Sequence, residues 1–289
     1  MTKNKTRIKL ELKRRDFLLV GGTAAGSVVA AQLLTTGPLS PFASFKQEQV
    51  EGTEGSSTTG SGHHWGMVIN LDKCIGCEYC LRACSATNDV WVDPEPSTEN
   101  QTGARPQKPW NIVVEDKTST GSPFFFSRPC LHCGDAPCVE VCPVQATFHR
   151  ADGLVIMDYE RCIGCRYCEI ACPYDARKFN WEARTDTNPF IPTWGIAEVE
   201  RRPRGVVEKC TFCKHRIDEG LKQGLTPGED MEVTPACVNI CPVGARLFGD
   251  LNNPDSKVSQ AIASEATIRL REELGTEPSV YYIIPKEGL

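Results

Sequence analysis

The chain has no excess of positive charge. Its 32 Lys and Arg stand against 37 Asp and Glu, a net of −5, so it lacks the basic footprint that nucleic-acid binding requires. Beyond residue 43 it also lacks any apolar run long enough to span a bilayer. The C-x3-C-x2-C pattern of radical enzymes is missing, because Thr87, Gln145 and Asp175 stand where further cysteines would be needed. No other constellation suited to activating a substrate is present. The apolar fraction of 40% and charged fraction of 24% are ordinary, and 289 residues suffice for one large or two small cores. What the chain has in excess is cysteine, sixteen in all, and the spacing of those thiols decides their chemistry.

The first 43 residues form a different kind of sequence. Seven basic side chains, Lys3 to Arg15, precede an apolar stretch from Phe17 to Leu34, and Pro and small residues follow to Ala43. That is the layout of an export signal, and Arg14-Arg15-Asp16-Phe17-Leu18 resembles the twin-arginine signal that carries folded proteins across the bacterial membrane. A retained membrane anchor is the competing reading; Gly21, Gly22, Thr23, Gly26 and Ser27 make the stretch poor at it. Cleavage after Ala43 would leave Pro41 at the −3 position. This segment carries +5, leaving −10 for the remainder. Residues 44–63 hold few aliphatic side chains and read as a disordered linker.

Order is expected from about Trp65, with a strand over Met67–Leu71. Two repeats follow. Cys74, Cys77, Cys80 and Cys84 recur as Cys162, Cys165, Cys168 and Cys172, with MVINLDKCIGCEYC echoed by LVIMDYERCIGCRYC. Cys138-Val-Glu-Val-Cys142-Pro143 recurs as Cys237-Val-Asn-Ile-Cys241-Pro242. Ala151-Asp152-Gly153 predicts a hairpin turn between ATFHR and LVIMDY. Residues 85–129 and 173–209 read as irregular surface inserts that contact partners. A helix capped by Asp255 or Ser256 is expected to run to about Leu274, and Val280–Ile284 to form a terminal strand or docking arm.

The cysteines fall into four groups: C-x2-C-x2-C-x3-C at 74–84, C-x2-C-x4-C-x3-C-P at 130–143, C-x2-C-x2-C-x3-C-P at 162–173, and Cys210 and Cys213 followed by Cys237-x3-Cys241-Pro242. The third is the bacterial ferredoxin signature: three cysteines wrap one [4Fe–4S] cluster while the fourth ligates the other cluster of the pair. Zinc would need two C-x2-C pairs rather than four thiols packed into one short repeat, and neighbouring cysteines in such loops make poor structural disulfides. The crossover rule gives four clusters: Cys74, Cys77, Cys80 with Cys241; Cys210, Cys213, Cys237 with Cys84; Cys130, Cys133, Cys138 with Cys172; and Cys162, Cys165, Cys168 with Cys142. Groups two and three pair as neighbours, and group one with group four by elimination. Group one departs from the signature at Ser85, where proline is expected.

From Trp65 to Ile284 the chain resembles the four-cluster ferredoxin-like subunits of bacterial multi-subunit oxidoreductases, those of polysulfide, tetrathionate and dimethyl sulfoxide reductases and of the formate-dependent nitrite reductase system. The residues carrying the resemblance are the four groups, RCIGCRYCEIACPYDARKFNW at 161–181 and RGVVEKCTFCKHRID at 204–218. It implies an α+β fold of two pseudo-symmetric dicluster units with irregular inserts. The domain at 64–250 then holds an inner unit at 128–182 and an outer unit at 65–90 plus 204–250, with 251–289 a C-terminal helix and docking arm. It further implies a periplasmic electron-transfer subunit, itself without a catalytic residue, between a molybdopterin-type catalytic partner and a polytopic quinone-reactive membrane subunit or cytochrome. A stand-alone periplasmic polyferredoxin, or a cluster subunit of a periplasmic hydrogenase or sulfur-metabolism complex, is the alternative. His132 and His215 lie beside cysteines without being needed as ligands and are better placed to tune a cluster, as are Lys209, Lys214 and Arg216. His63 and His64 read as solvated, and Trp65, Trp110, Trp181 and Trp194 as anchors.

Overall fold

The computed structural model describes residues 62–92 and 109–286. The expected export signal at 1–43 and nearly all of the expected linker at 44–63 therefore lie outside the described residues. In chain order the elements are β1 (Trp65–Asn70), α1 (Tyr79–Thr87), β2 (Ile112–Lys117), β3 (Pro123–Arg128), α2 (Pro137–Glu140), β4 (Thr147–His149), β5 (Val155–Met157) and α3 (Tyr167–Ala171). There follow β6 (Lys178–Phe179), β7 (Val207–Glu208), α4 (Lys214–Gln223), α5 (Ala236–Asn239), β8 (Arg246–Asp250), α6 (Lys257–Ser264), β9 (Thr267–Ile268) and β10 (Val280–Ile283). Small helices and small sheets alternate, an α+β arrangement.

Trp65 to Ile69 are all buried, so β1 must be covered on both faces. It lies inside a four-stranded sheet of order β8-β1-β10-β9, antiparallel to β8 and parallel to β10. Alternate side chains point to opposite faces of a strand. Trp65, Met67 and Ile69 accordingly enter the main core with Phe248, Val280 and Tyr282, whereas Val68 and Ile283 pack with Val258 of α6 on the other side. Val280–Ile284, expected as a terminal strand or docking arm, thus holds β10, an inner strand sharing its core with β1.

The hairpin at Ala151–Gly153 forms as expected, joining β4 to β5 with Gly153 at φ 84°. Ser256 caps α6, its Oγ accepting from the Ser259 N–H at 3.2 Å. The helix ends at Ser264, well short of Leu274. The β-branched pair Thr267-Ile268 prefers the edge of β10, where Ile268 faces Tyr282 across the ladder, and a short 3-10 turn at Glu272–Leu274 follows.

Two expectations need correction. The insert at 85–129 is not irregular throughout: β2 and β3 pair over six residues each around a turn with Gly121 at φ 90°. IVVEDK and PFFFSR carry the strand-forming residues, and Phe124 and Phe126 pack on the core. His63 and His64 are not simply solvated. His63 stacks on Trp65 with centroids 4.9 Å apart and its Nδ1 lies 2.6 Å from Asp250 Oδ2, while His64 Nε2 lies 3.0 Å from Ser279 Oγ.

The third cysteine loop leaves no room at Gly164. Its φ is +69°, and a Cβ there would run into the Gly205 carbonyl. Gly164→Ala is expected to destabilise the protein by about 1–3 kcal/mol from backbone strain alone, seen as a lower urea midpoint. An unchanged midpoint would show that the loop relaxes freely.

Candidate metal centre

Each C-x2-C loop turns by the same device. The residue just before the second cysteine is left-handed in all four: Gly76 at φ 69°, His132 at 45°, Gly164 at 69° and Phe212 at 53°. Two loops use glycine, which adopts this conformation at no steric cost. The other two use His132 and Phe212, both fully buried and stacked on each other with centroids 3.9 Å apart. Packing holds what glycine would otherwise permit.

The fourth cysteines differ in a way that follows from proline. Cys142, Cys172 and Cys241 each precede a proline, and the residue three further on, Gln145, Asp175 or Gly244, is left-handed. In group one Ser85 replaces the proline and α1 runs on to Thr87. Its end is fastened by the second insert: Asn188 donates to the Ser85 and Val90 carbonyls at 3.0 and 3.1 Å, and Arg201 binds Asp89 at 2.8 Å. That insert is not irregular throughout either, since β6 and β7 pair antiparallel at its two ends, and it contributes the buried anchors Asn188 and Arg202.

No two of the sixteen cysteines are joined in a disulfide. Among the described residues, no three His, Cys, Asp or Glu side chains converge on a single point. The thiols instead border wider spaces. Cys74, Cys77, Cys80 and Cys241 line one cavity. Cys84 is pushed well above the usual thiol range first by burial, then by repulsion from Cys210, Cys213 and Cys237. Burial, with Cys130, Cys138 and Cys172 as neighbours, pushes Cys133 up to about 12. Cys168 is raised by burial and feels Cys138 and Cys162. Thiolates crowded like this in a dry interior are unfavourable without a cation, so occupancy by iron would release protons and add folding free energy.

The donor set and its surroundings fit iron–sulfur clusters. Backbone N–H groups point at thiol sulfurs: Ala146 at Cys142 at 3.2 Å and Ala245 at Cys241 at 3.3 Å. Arg177, almost wholly buried, donates to Cys138 Sγ at 3.0 Å, and its Nε–H has no acceptor among the described residues. An orphaned buried donor beside thiols is what a missing cluster sulfide would satisfy.

The other polar side chains near the cysteines separate cleanly. His132 Nδ1 accepts from the Val155 N–H at 3.1 Å and Nε2 donates to the Cys210 carbonyl at 3.1 Å, so neither nitrogen is left to bind iron. Burial, then the charge of Lys209, holds it well below the usual imidazole range and therefore neutral, which removes charge as its means of tuning. His132→Gln is expected to keep all the iron while losing the Phe212 stack, about 1 kcal/mol of stability; iron loss would mark a ligand. His215 and Arg216 both engage Glu198, at 2.8 and 2.5 Å. Burial would raise Glu198, but those hydrogen bonds outweigh it and hold its carboxyl below the usual range. Trp65 and Trp110 are core residues, Trp194 packs on Tyr79, and Arg166 lies 4.6 Å over Trp181. Lys209 is fully buried beside group four. Arg177 and Arg246, which sequence reasoning missed, are equally enclosed.

Two family models described as 4Fe-4S dicluster domains match the chain, one over residues 122–188 and the other over 73–146 and again over 161–245. The iron-sulfur cluster-binding subunit of menaquinone reductase from Nitratidesulfovibrio vulgaris is 42% identical over 77% of this chain and 89% of its own length. A putative dimethyl sulfoxide reductase iron-sulfur subunit of Halobacterium salinarum is 44% identical, over 76% of this chain and 79% of its own. A tetrathionate reductase subunit of Salmonella typhimurium is 34% identical over 96% and 90%.

Proposed function

From the 4Fe-4S dicluster family, to which this chain belongs, we propose a single role: an electron-transfer subunit that carries four [4Fe–4S] clusters in a row between two protein partners. Each cluster, when bound, takes up and passes on one electron. The protein's part is to space the clusters, keep water away and present the two ends.

The observation that carries this reading is the succession of thiol neighbours. Cys80 acts on Cys237, Cys130 on Cys210, and Cys138 on Cys168. With the crossed assignment, those three electrostatic couplings link the cluster of Cys74, Cys77, Cys80 and Cys241 to that of Cys84, Cys210, Cys213 and Cys237. They lead on to that of Cys130, Cys133, Cys138 and Cys172, and end at Cys162, Cys165, Cys168 and Cys142. The two inner sets are the more buried. Pseudo-symmetry between the two cluster pairs follows from the sequence repeats.

Both ends of the row open to the surface. At one, Ile75 and Tyr79 are exposed beside the first loop; at the other, Cys165 is exposed among Ile163, Tyr167 and Ile170, the last 82% accessible. Apolar side chains gathered around a terminal cluster suit a docking partner. The partners fitting these ends are a molybdopterin-type catalytic subunit and a quinone-linked membrane subunit or cytochrome. No helix among the described residues is long and apolar enough to cross a membrane, and in this reading the subunit meets the membrane through a partner. The twin-arginine-like segment at 14–18 supports a periplasmic assembly.

The test is anaerobic purification followed by metal and sulfide analysis and size-exclusion chromatography. About sixteen irons per chain, with co-elution of a larger cofactor-bearing subunit, are expected. Zinc in place of iron would end the cluster reading, and a monomeric brown protein would end the partner reading alone.

A further inference from the structure

Five cationic side chains are almost wholly enclosed: Arg177, Lys178, Arg202, Lys209 and Arg246. A buried charge is strongly unfavourable unless an opposite charge accompanies it. Lys178 has Asp175 at 2.8 Å and Arg202 has Glu208 at 2.7 Å. The other three have no carboxylate among the described residues. Arg177 meets Met157 Sδ, Thr147 Oγ1 and Cys138 Sγ at 3.0, 2.7 and 3.0 Å. Arg246 meets Met67 Sδ, Asn111 Oδ1 and Ser127 Oγ, and lies against Cys237, Cys80 and Cys241. The Lys209 ammonium donates to the Cys210 carbonyl at 2.8 Å, near Cys130 and Cys138.

Their positions are not scattered. Arg246 lines the cavity of Cys74, Cys77, Cys80 and Cys241 and feels Cys237. Lys209 sits on the Cys210 carbonyl and feels Cys130, and Arg177 binds Cys138 and feels Cys168. The two arginines also occupy the same place in a repeated stretch, Cys172-Pro-Tyr-Asp-Ala-Arg177 and Cys241-Pro-Val-Gly-Ala-Arg246. After Cys142 the same spacing arrives at Thr147, which accepts from Arg177.

We propose that Arg246, Lys209 and Arg177 are positioning residues that act as fixed counter-charges, one at each junction of the row, holding up the reduction potentials of the clusters on either side. The inference rests on the four-cluster reading above. A cluster ligated by four thiolates is anionic and gains one more negative charge on reduction, so a cation locked beside it favours the reduced form. Guanidinium suits the task because it stays protonated in proteins. The anion that each buried cation lacks is then the cluster pair itself.

The test is an EPR-monitored potentiometric titration of the anaerobic holoprotein, with iron counted in every sample. Arg177→Met should make the clusters beside it at least tenfold harder to reduce, about 59 mV more negative for one electron, and leave the first cluster of the row, that of Cys74, unmoved. Arg246→Met should do the converse, sparing the cluster of Cys162. Arg177→Lys and Arg246→Lys, which keep the charge, should restore most of the shift. Unmoved potentials with all iron retained would overturn the proposal, as would equal shifts in the Met and Lys variants, or loss of clusters in both. A wild-type protein without four reducible clusters would instead overturn the reading beneath it.

Discussion

Replacing Cys84 with serine is expected to strip the iron held by Cys210, Cys213 and Cys237, far away in sequence, and to spare that of Cys74, Cys77 and Cys80 beside it. Cys84 lies buried in α1 with its thiol facing the group-four thiols. Asn88 Nδ2 reaches both Cys84 Sγ at 3.9 Å and Cys213 Sγ at 3.5 Å. A serine hydroxyl is a poor substitute for a thiolate toward iron. About four of sixteen irons should be lost, and alkylation with mass mapping should find Cys210, Cys213 and Cys237 newly reactive. Cys241→Ser should expose Cys74, Cys77 and Cys80 instead. If Cys84→Ser exposed Cys74, Cys77 and Cys80, the ligands would not be crossed.

The second large effect is expected at Arg202. Its guanidinium binds Glu208 Oε2 at 2.7 Å and the Asp89 carbonyl at 3.0 Å, also donates to the Asn88 carbonyl, and lies 4.7 Å over Trp110. One side chain thus ties the second insert to β7 and to the end of α1, where Asn88 reaches the thiols. Arg202→Met would leave the Glu208 carboxylate enclosed without its guanidinium. Breaking one half of such a pair costs about 3–5 kcal/mol. The double variant Arg202→Met, Glu208→Met should recover most of that loss in urea unfolding, because apolar side chains of similar volume often replace a buried pair without penalty. A single variant as stable as the parent would mean that Glu208 finds other compensation.

The cluster chemistry was legible in the sequence because it is local. Iron–sulfur loops need thiols at fixed intervals, and the intervals survive in any reading of the chain. The β4–β5 hairpin and the Ser256 cap were legible for the same reason, since turn and cap chemistry sit within a few residues. The four-stranded sheet was not. Nothing in Trp65–Asn70 names Arg246–Asp250 and Val280–Ile283 as its neighbours, and pairing at that distance is settled by burial of both faces. The hairpin at 112–128 was hidden by the polar residues around it, although its strands carry the expected composition. Arg177 and Arg246 escaped notice because an arginine after a Cys-Pro motif looks like any surface charge until its enclosure is seen. How His132 could tune a cluster was not legible: its left-handed backbone and its two hydrogen-bonded nitrogens are visible only in three dimensions.

The parallel pairing of β1 with β10 sets a timetable for the chain as it leaves the ribosome. Groups two and three are complete once the residues up to Cys172 have emerged, and their ligands are near neighbours in sequence. With the crossed ligands proposed above, the first loop must wait for Cys241, and the strand behind it waits for its parallel partner Val280–Ile283, far downstream. Closing so long a loop is slow. On that assignment the loops of groups two and three can mature while β1 still lacks a partner, and a product truncated before residue 280 would leave Met67 to Asn70 without a neighbour on that side.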